Sequence, residues 1–235
     1  MIDLKLGDAF KLIKEIPDNS VDLILTDPPY DRTEYMDSLS DSQKEEIAKE
    51  FYRVLKDSGN LALFCGFEDK WKWYNILTKI GFKFQREIIW CYTNPFKFGF
   101  KPKKFIAAHE TILWFSKTDN YYFNKEGRLE KDYILHYAFS GFVRLNGLEN
   151  LPKEKYNVTP KPLKIAEILV NRLSKEGDLV LDAFMGLGTF AIASLRLKRN
   201  FIGFEIREDI FKMAKERIEK FKMKALKDYF ITLKK

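Results

Sequence analysis

Cysteine and histidine are nearly missing from this chain, with two of each in 235 residues. Cys65 and Cys91 lie at the ends of apolar runs, a setting that suits buried thiols better than a disulfide. With only His109 and His136 to add, the chain cannot assemble a zinc cluster at ligand spacing, so no metal site is expected. Long hydrophobic runs are also lacking: no stretch approaches about eighteen uncharged apolar residues, which excludes a membrane-spanning helix. Met1–Lys5 carries no signal-peptide pattern, and a cytoplasmic protein with no membrane partner is expected. Internal repeats and low-complexity linkers are absent as well. What is present excludes a disordered chain: 46% of residues are hydrophobic and 15% aromatic, enough for one sizeable α/β domain with a modest insertion. A net charge of +7 and a pI near 9.1 suit a polyanionic partner such as nucleic acid without demanding one.

The most informative stretch begins at Val21 as an apolar, β-rich run and stops at Asp27-Pro28-Pro29-Tyr30. Such a run reads as a buried parallel strand. Two prolines cannot donate to a ladder and fix φ near −65°, so the chain turns a rigid corner at the strand's carboxyl end. Open α/β sheets bind their ligands there. The corner offers a carboxylate, the Pro28 carbonyl and an aromatic ring, a set able to grip a planar ring bearing an amino group. Taken alone, the same string can be an ordinary strand terminator.

Around it the periodicities alternate. Ile2–Leu6 predicts a strand, followed by Gly7-Asp8-Ala9 and a short helix through Phe10, Ile13 and Ile16. Residues 31–41 predict a long loop over the Pro-Pro corner, able to act as a lid. Ser42 with Glu45 predicts a capping box for a helix that runs to Gly59. Leu61–Phe64 predicts a buried strand, Asp69–Ile80 a helix, and Phe82–Trp90 a further strand in β-α-β alternation. Residues 94–105 place Lys97, Lys101, Lys103 and Lys104 among four phenylalanines with no acid, a loop suited to phosphate contact and base stacking. An alternative puts those rings in the core and the lysines in water. His109 beside the strand Ile112–Phe115 reads as a structural hydrogen-bonder. Residues 117–156 interrupt the sheet pattern and read as an inserted recognition element or interface. Proline at 160 and 162 then suits the first turn of a helix through Ile165 and Leu173.

A second motif closes the chain. The strand Leu179–Leu181 ends in Asp182-Ala183-Phe184-Met185-Gly186-Leu187-Gly188-Thr189, a helix follows, and the next strand ends at Glu205. This is the nucleotide-binding arrangement of doubly wound sheets, with the acid placed to accept ribose hydroxyls. The turn lacks a third glycine at dinucleotide spacing, and Asp182 would repel a pyrophosphate. A cationic ligand without phosphate fits better, and S-adenosylmethionine is one.

The two motifs together resemble those of the DNA amino-methyltransferases, with the catalytic motif first, as in their permuted β group. The likeness covers nearly the whole chain except residues 117–156. It implies a circularly permuted Rossmann-like α/β fold with a doubly wound, mostly parallel sheet and a small inserted element. It also implies S-adenosylmethionine as cofactor and double-stranded DNA as partner. By the same resemblance Asp27, Pro28, Pro29 and Tyr30 are catalytic. Asp8 and Ala9 meet the cofactor's adenine, and Thr159, Lys161 and Pro162 close over its methionine end. Asp27, Asp182, Phe184, Gly186, Gly188, Thr189 and Glu205 complete the cofactor site. Two departures stand out: Asn157-Val158 replaces the family's histidine and proline, and Ala183 and Leu187 replace a proline and a small residue. Aspartate at position 27 goes in that family mainly with the N6 of adenine, and a flipped adenine is the expected substrate. N4 of cytosine is the alternative. A C5-cytosine mechanism would need a nucleophilic cysteine after proline, and neither cysteine follows one. RNA or a protein glutamine is a more distant substrate, and the glutamine enzymes show the opposite motif order. A non-catalytic DNA-binding partner on this fold would show decay at Asp27, Tyr30, Gly186 or Glu205. The resemblance leaves room for a homodimer and for a companion restriction endonuclease.

Overall fold

Leu23, Ile24 and Leu25 have no exposed surface, because the strand that carries them, β2 (Val21–Thr26), is covered on both faces. A computed structural model of the chain describes residues 1–29, 38–93, 105, 108–127, 131–137 and 160–232, with side chains of the last helix to Met223. In it β2 sits mid-sheet, and alternate residues face two separate cores. Ile24 joins Ile47, Phe51 and Trp73 of α2 (Asp41–Val54) and α3 (Lys70–Ile80), beneath the short α1 (Ala9–Leu12). Leu23 and Leu25 join Ile165, Ile192 and Ile218 of α4 (Leu163–Leu173), α5 (Thr189–Arg196) and α6 (Glu208–Thr232). At about 1.5–3 kcal/mol per fully buried aliphatic side chain, this two-sided burial fixes β2 as the rigid spine of the molecule.

The other strands are β1 (Ile2–Leu6), β3 (Leu55–Cys65), β4 (Lys83–Tyr92), β5 (His109–Ser116), β6 (Tyr133–His136), β7 (Leu179–Asp182) and β8 (Asn200–Glu205), in the order β1-β8-β7-β2-β3-β5-β4-β6. The sheet is parallel from β1 through β3, as the periodicity predicts. Beyond β3 it departs from simple β-α-β alternation: β5 inserts between β3 and β4 and is antiparallel to both. The first residues of β5 therefore lie on the same rim as the carboxyl ends of β2 and β3. That reversal becomes important at the site.

Several sequence expectations need correcting. The capping box is Ser40 with Gln43, each side chain bonded to the other's backbone N–H, rather than Ser42 with Glu45. Helix α2 stops at Val54, and Leu55 already pairs with Val21. Residues 56–59 then bulge out before Asn60 pairs with Leu23. Pro162 is the N-cap of α4, not part of its first turn. Within residues 117–156, Tyr133–His136 continues the sheet as β6, parallel to β4. The preceding segment is tied to α4, where Arg172 donates to the carbonyls of Asn124 and Glu126 and accepts from the Asn124 N–H. No described helix is long and apolar enough to cross a membrane.

Candidate active site

The sheet changes winding direction between β7 and β2. From β7 the chain moves through α5 to β8, and from β2 it moves through α2 to β3 on the other side. A crevice opens at the carboxyl ends of strands flanking such a switch point. Both sequence motifs end there. Leu23 and Ile24 pair with Val180 and Leu181, and from the last residue of β2 the Thr26 hydroxyl donates to Asp182 Oδ1 at 2.8 Å. The same oxygen accepts the Phe184 N–H at 3.1 Å, which sets the start of the glycine turn. Asp27, Pro28 and Pro29 follow directly at the corner.

Asp182 is only 1% exposed, and burial pushes its carboxyl up to about 8, with the nearby negative charges of Asp27 and Glu205 adding to the effect. Glu205, at the end of β8, accepts the Gly186 N–H at 3.0 Å and the Arg207 N–H at 2.8 Å. Burial outweighs those two bonds and raises its carboxyl as well. The carbonyl of Glu205 receives the Gly7 N–H at 2.9 Å, which places Asp8 and Ala9 on the same rim. Asp8 caps α1 through the Phe10 N–H at 3.0 Å.

The glycine turn is shaped from behind as much as from the crevice. Gly186 and Gly188 both have positive φ, 52° and 72°. A Cβ at Gly188 would come within 2.9 Å of Ile218 Cδ1 on α6, so helix packing adds to the left-handed backbone in favouring glycine here. Thr189 is buried, and its hydroxyl meets the Arg217 guanidinium at 3.0 Å, which also donates to the Leu187 carbonyl at 2.7 Å. Burial lowers Arg217 to about 10. Periodicity marks Arg217 only as one more charge on an amphipathic helix, so its grip on the turn is not legible in the sequence.

On the other side of the corner, Lys161 places its ammonium 2.7 Å from Asp27 Oδ2 and 3.0 Å from Glu110 Oε1. It lies 5.4 Å from the Phe64 ring centroid, and Phe64 stacks on Phe190 of α5. Glu110 is not among the site residues expected from the sequence: its side chain is 3% exposed, and the Tyr92 hydroxyl donates to Oε2 at 3.3 Å. The available signal was an acid inside the apolar run of β5. His109, its neighbour, is exposed.

The structure thus brings Asp8, Ala9, Asp27, Pro28, Pro29, Lys161, Pro162, Asp182, Phe184, Gly186, Gly188, Thr189 and Glu205 to one end of the sheet. Tyr30, Thr159, Lys97, Lys101, Lys103 and Lys104 lie outside the described residues, as does most of the lid expected over 31–41. Four carboxyl groups, those of Asp27, Glu110, Asp182 and Glu205, converge here, with the Lys161 ammonium on the first two and Asp182 held protonated at neutral pH by burial. That balance suits a cationic ligand and opposes a phosphate-bearing one. Cys65, at the end of β3, is buried and its thiol is pushed up, chiefly by burial, so it is no nucleophile.

Comparison with known proteins agrees with this reading. The DNA methylase family of N6- and N4-methyltransferases matches residues 21–216. The type II methyltransferase M.HpaI of Haemophilus parainfluenzae is 31% identical over 234 residues, covering 91% of this chain and 73% of that protein. M.HinfI of Haemophilus influenzae is 29% identical over 249 residues, covering 92% and 68%. Among solved structures, the complex of M1.HpyAVI with S-adenosylmethionine superposes with a TM-score of 0.74 at 25% identity, over 93% of this chain and all of that one. The cytosine-N4-specific PvuII methyltransferase gives 0.78 at 20% identity, over 94% and 90%, a likeness of fold.

Proposed function

This chain belongs to the N6/N4 DNA methylase family and uses S-adenosylmethionine, and on that footing we propose that it methylates the exocyclic N6 of adenine in double-stranded DNA. The observation that supports the reading best is the adjacency of Asp27 and the Asp182–Glu205 cradle across one switch point. The cradle fits the donor: Glu205 for the ribose, Asp8 and Ala9 at the adenine end, Lys161 and Pro162 at the methionine end, and an acidic surround for a sulfonium. When bound, the donor supplies a methyl group activated by positive sulfur.

Everything else is work for the protein. An exocyclic amino nitrogen is a weak nucleophile because its lone pair is delocalised into the ring. Asp27 and the Pro28 carbonyl accept its two N–H bonds, hold the nitrogen towards tetrahedral geometry and aim the lone pair at the methyl. The prolines make this acceptor pair rigid. Tyr30 stacks on the extruded base, since a base inside the duplex is out of reach. Transfer is direct, with no covalent enzyme intermediate.

The test is Asp27→Ala, assayed with labelled S-adenosylmethionine and genomic DNA followed by digestion to nucleosides. The wild type should label N6-methyladenine. The variant should lose activity by about 10³-fold or more while still binding the cofactor by calorimetry. Label in N4-methylcytosine would move the substrate to cytosine, and unchanged turnover in the variant would remove the role given to Asp27.

A further inference from the structure

The carboxyl-end rim holds one buried acid that the scheme above leaves unused. Glu110 enters from β5, the strand that runs against its neighbours, and this reversal alone puts the first residues of β5 beside the ends of β2 and β3. One of its oxygens lies 3.0 Å from Lys161 Nζ, the other accepts from Tyr92, and the same Lys161 nitrogen lies 2.7 Å from Asp27. Two carboxylates therefore share one ammonium, so these three groups, each in its ordinary ionised form, sum to one negative charge. Glu110 thus competes with Asp27 for the Lys161 ammonium.

We propose that Glu110 is a positioning residue for methyl transfer, acting through Lys161 to keep negative charge at Asp27; the inference rests on the function proposed above. The chemistry says why the charge is useful. As the amine's lone pair forms the new N–C bond, the C–S bond breaks with its electron pair left on sulfur. Positive charge moves from sulfur to nitrogen, and the methylated amine then gives up a proton to Asp27. A cluster that stays net negative on the nitrogen side stabilises the transition state more than the ground state. A cluster neutralised at Asp27 attracts the developing ammonium less and accepts its proton less readily. Tyr92 fixes the second Glu110 oxygen, so the carboxylate has a defined direction as well as a charge.

The relay makes an unusual prediction about signs. Glu110→Gln keeps the shape and the acceptor for Tyr92 but removes the charge. In the wild-type background it should lower kcat by about 10–100-fold while the Kd for S-adenosylmethionine and the KM for DNA stay within about threefold. Lys161→Met should also lower kcat, because the buried Glu110 and the partly buried Asp27 lose the ammonium they share, and their mutual repulsion favours protonating one of them. In that background Glu110→Gln should reverse sign and raise kcat, by relieving Asp27 of its like-charged neighbour. Melting of the ligand-free proteins gives a second reading of the same cycle: Glu110→Gln should lower Tm beside Lys161 and raise it beside Met. Glu110→Gln costing activity in both backgrounds, or changing cofactor affinity rather than kcat, overturns the relay. So does a Tm cycle with coupling but an unchanged kcat, which would leave a purely structural ion pair. A wild-type protein that methylates no DNA would instead overturn the function on which the relay rests, and the Tm cycle would still report the pair.

Discussion

Asp182 shows how a single side chain can be set by two strands at once. Its neighbour across the β7–β2 ladder, Thr26, and its own turn, through Phe184, both donate to one oxygen, while burial keeps the carboxyl protonated up to about pH 8. An acid whose pKa is raised on folding binds more protons in the native state than in the unfolded one. Its contribution to stability is therefore fully present below about pH 4, where the unfolded group also titrates, and is lost as pH rises through about 8. Asp182→Asn mimics the protonated form and can accept both bonds. Thermal melts should find the variant about as stable as wild type at pH 4 and progressively more stable than wild type as pH rises to 9. A parallel decline in both proteins would remove Asp182 as the cause. The ligand works in the opposite direction: a cationic donor favours the ionised carboxylate, so wild-type affinity for S-adenosylmethionine should rise from pH 6 to pH 9, and the asparagine variant should lose that rise. Glu205 contributes to stability with the same sign, since its carboxyl is also raised by burial.

Elements were legible in proportion to how much apolar surface they bury. The strands β2, β3, β5 and β7 and the helices α2 to α6 follow clear periods, and the two motifs marked the turns that leave β2 and β7 because Gly186, Gly188 and the paired prolines have backbone requirements visible in residue type. Tyr133–His136 escaped because an edge strand of four residues, with Tyr133 and Leu135 exposed, has neither length nor a buried face to announce it. Glu110 escaped for a topological reason: its importance comes from the direction of β5, and strand direction is not written in a local pattern. Another buried charge shows the same limit on the helical side of the molecule. Lys44 of α2 places its ammonium 2.7 Å from Asp69, which leads into α3, and the two side chains are 2% and 4% exposed. In the sequence Lys44 is simply one polar residue early in a helix. Because removing one partner leaves the other charge buried, Lys44→Ala should cost about 3–5 kcal/mol in chemical denaturation. A loss under about 1 kcal/mol would mean that water reaches Asp69 freely. The double replacement Lys44→Met with Asp69→Leu should recover much of the loss, since it exchanges an ion pair for apolar packing.

Over the whole molecule the charge is divided by depth. The chain carries a net +7, yet its crevice gathers the carboxyl groups of Asp27, Glu110, Asp182 and Glu205, the first two on Lys161. A basic exterior around an acidic pit draws a polyanion to the surface and a cation to the interior, which is the pair of substrates a DNA methyltransferase must bring together. The two attractions should respond differently to salt. DNA binding releases counterions, so its affinity should fall steeply and linearly on a log–log plot, with a slope near 0.9 per phosphate contacted. Cofactor binding inside the crevice is largely shielded from ions and should change little over the same range. Lys101, Lys103 and Lys104, proposed as phosphate contacts from their place in an acid-free aromatic stretch, give this contrast a residue-level handle. Replacing all three with alanine should flatten the DNA slope by about one unit for each lysine that touches a phosphate, measured by fluorescence anisotropy between low and moderate salt. Cofactor affinity, followed by calorimetry on the same protein, should stay put. A slope that does not change would assign these lysines to the solvated face and leave DNA to another part of the basic surface.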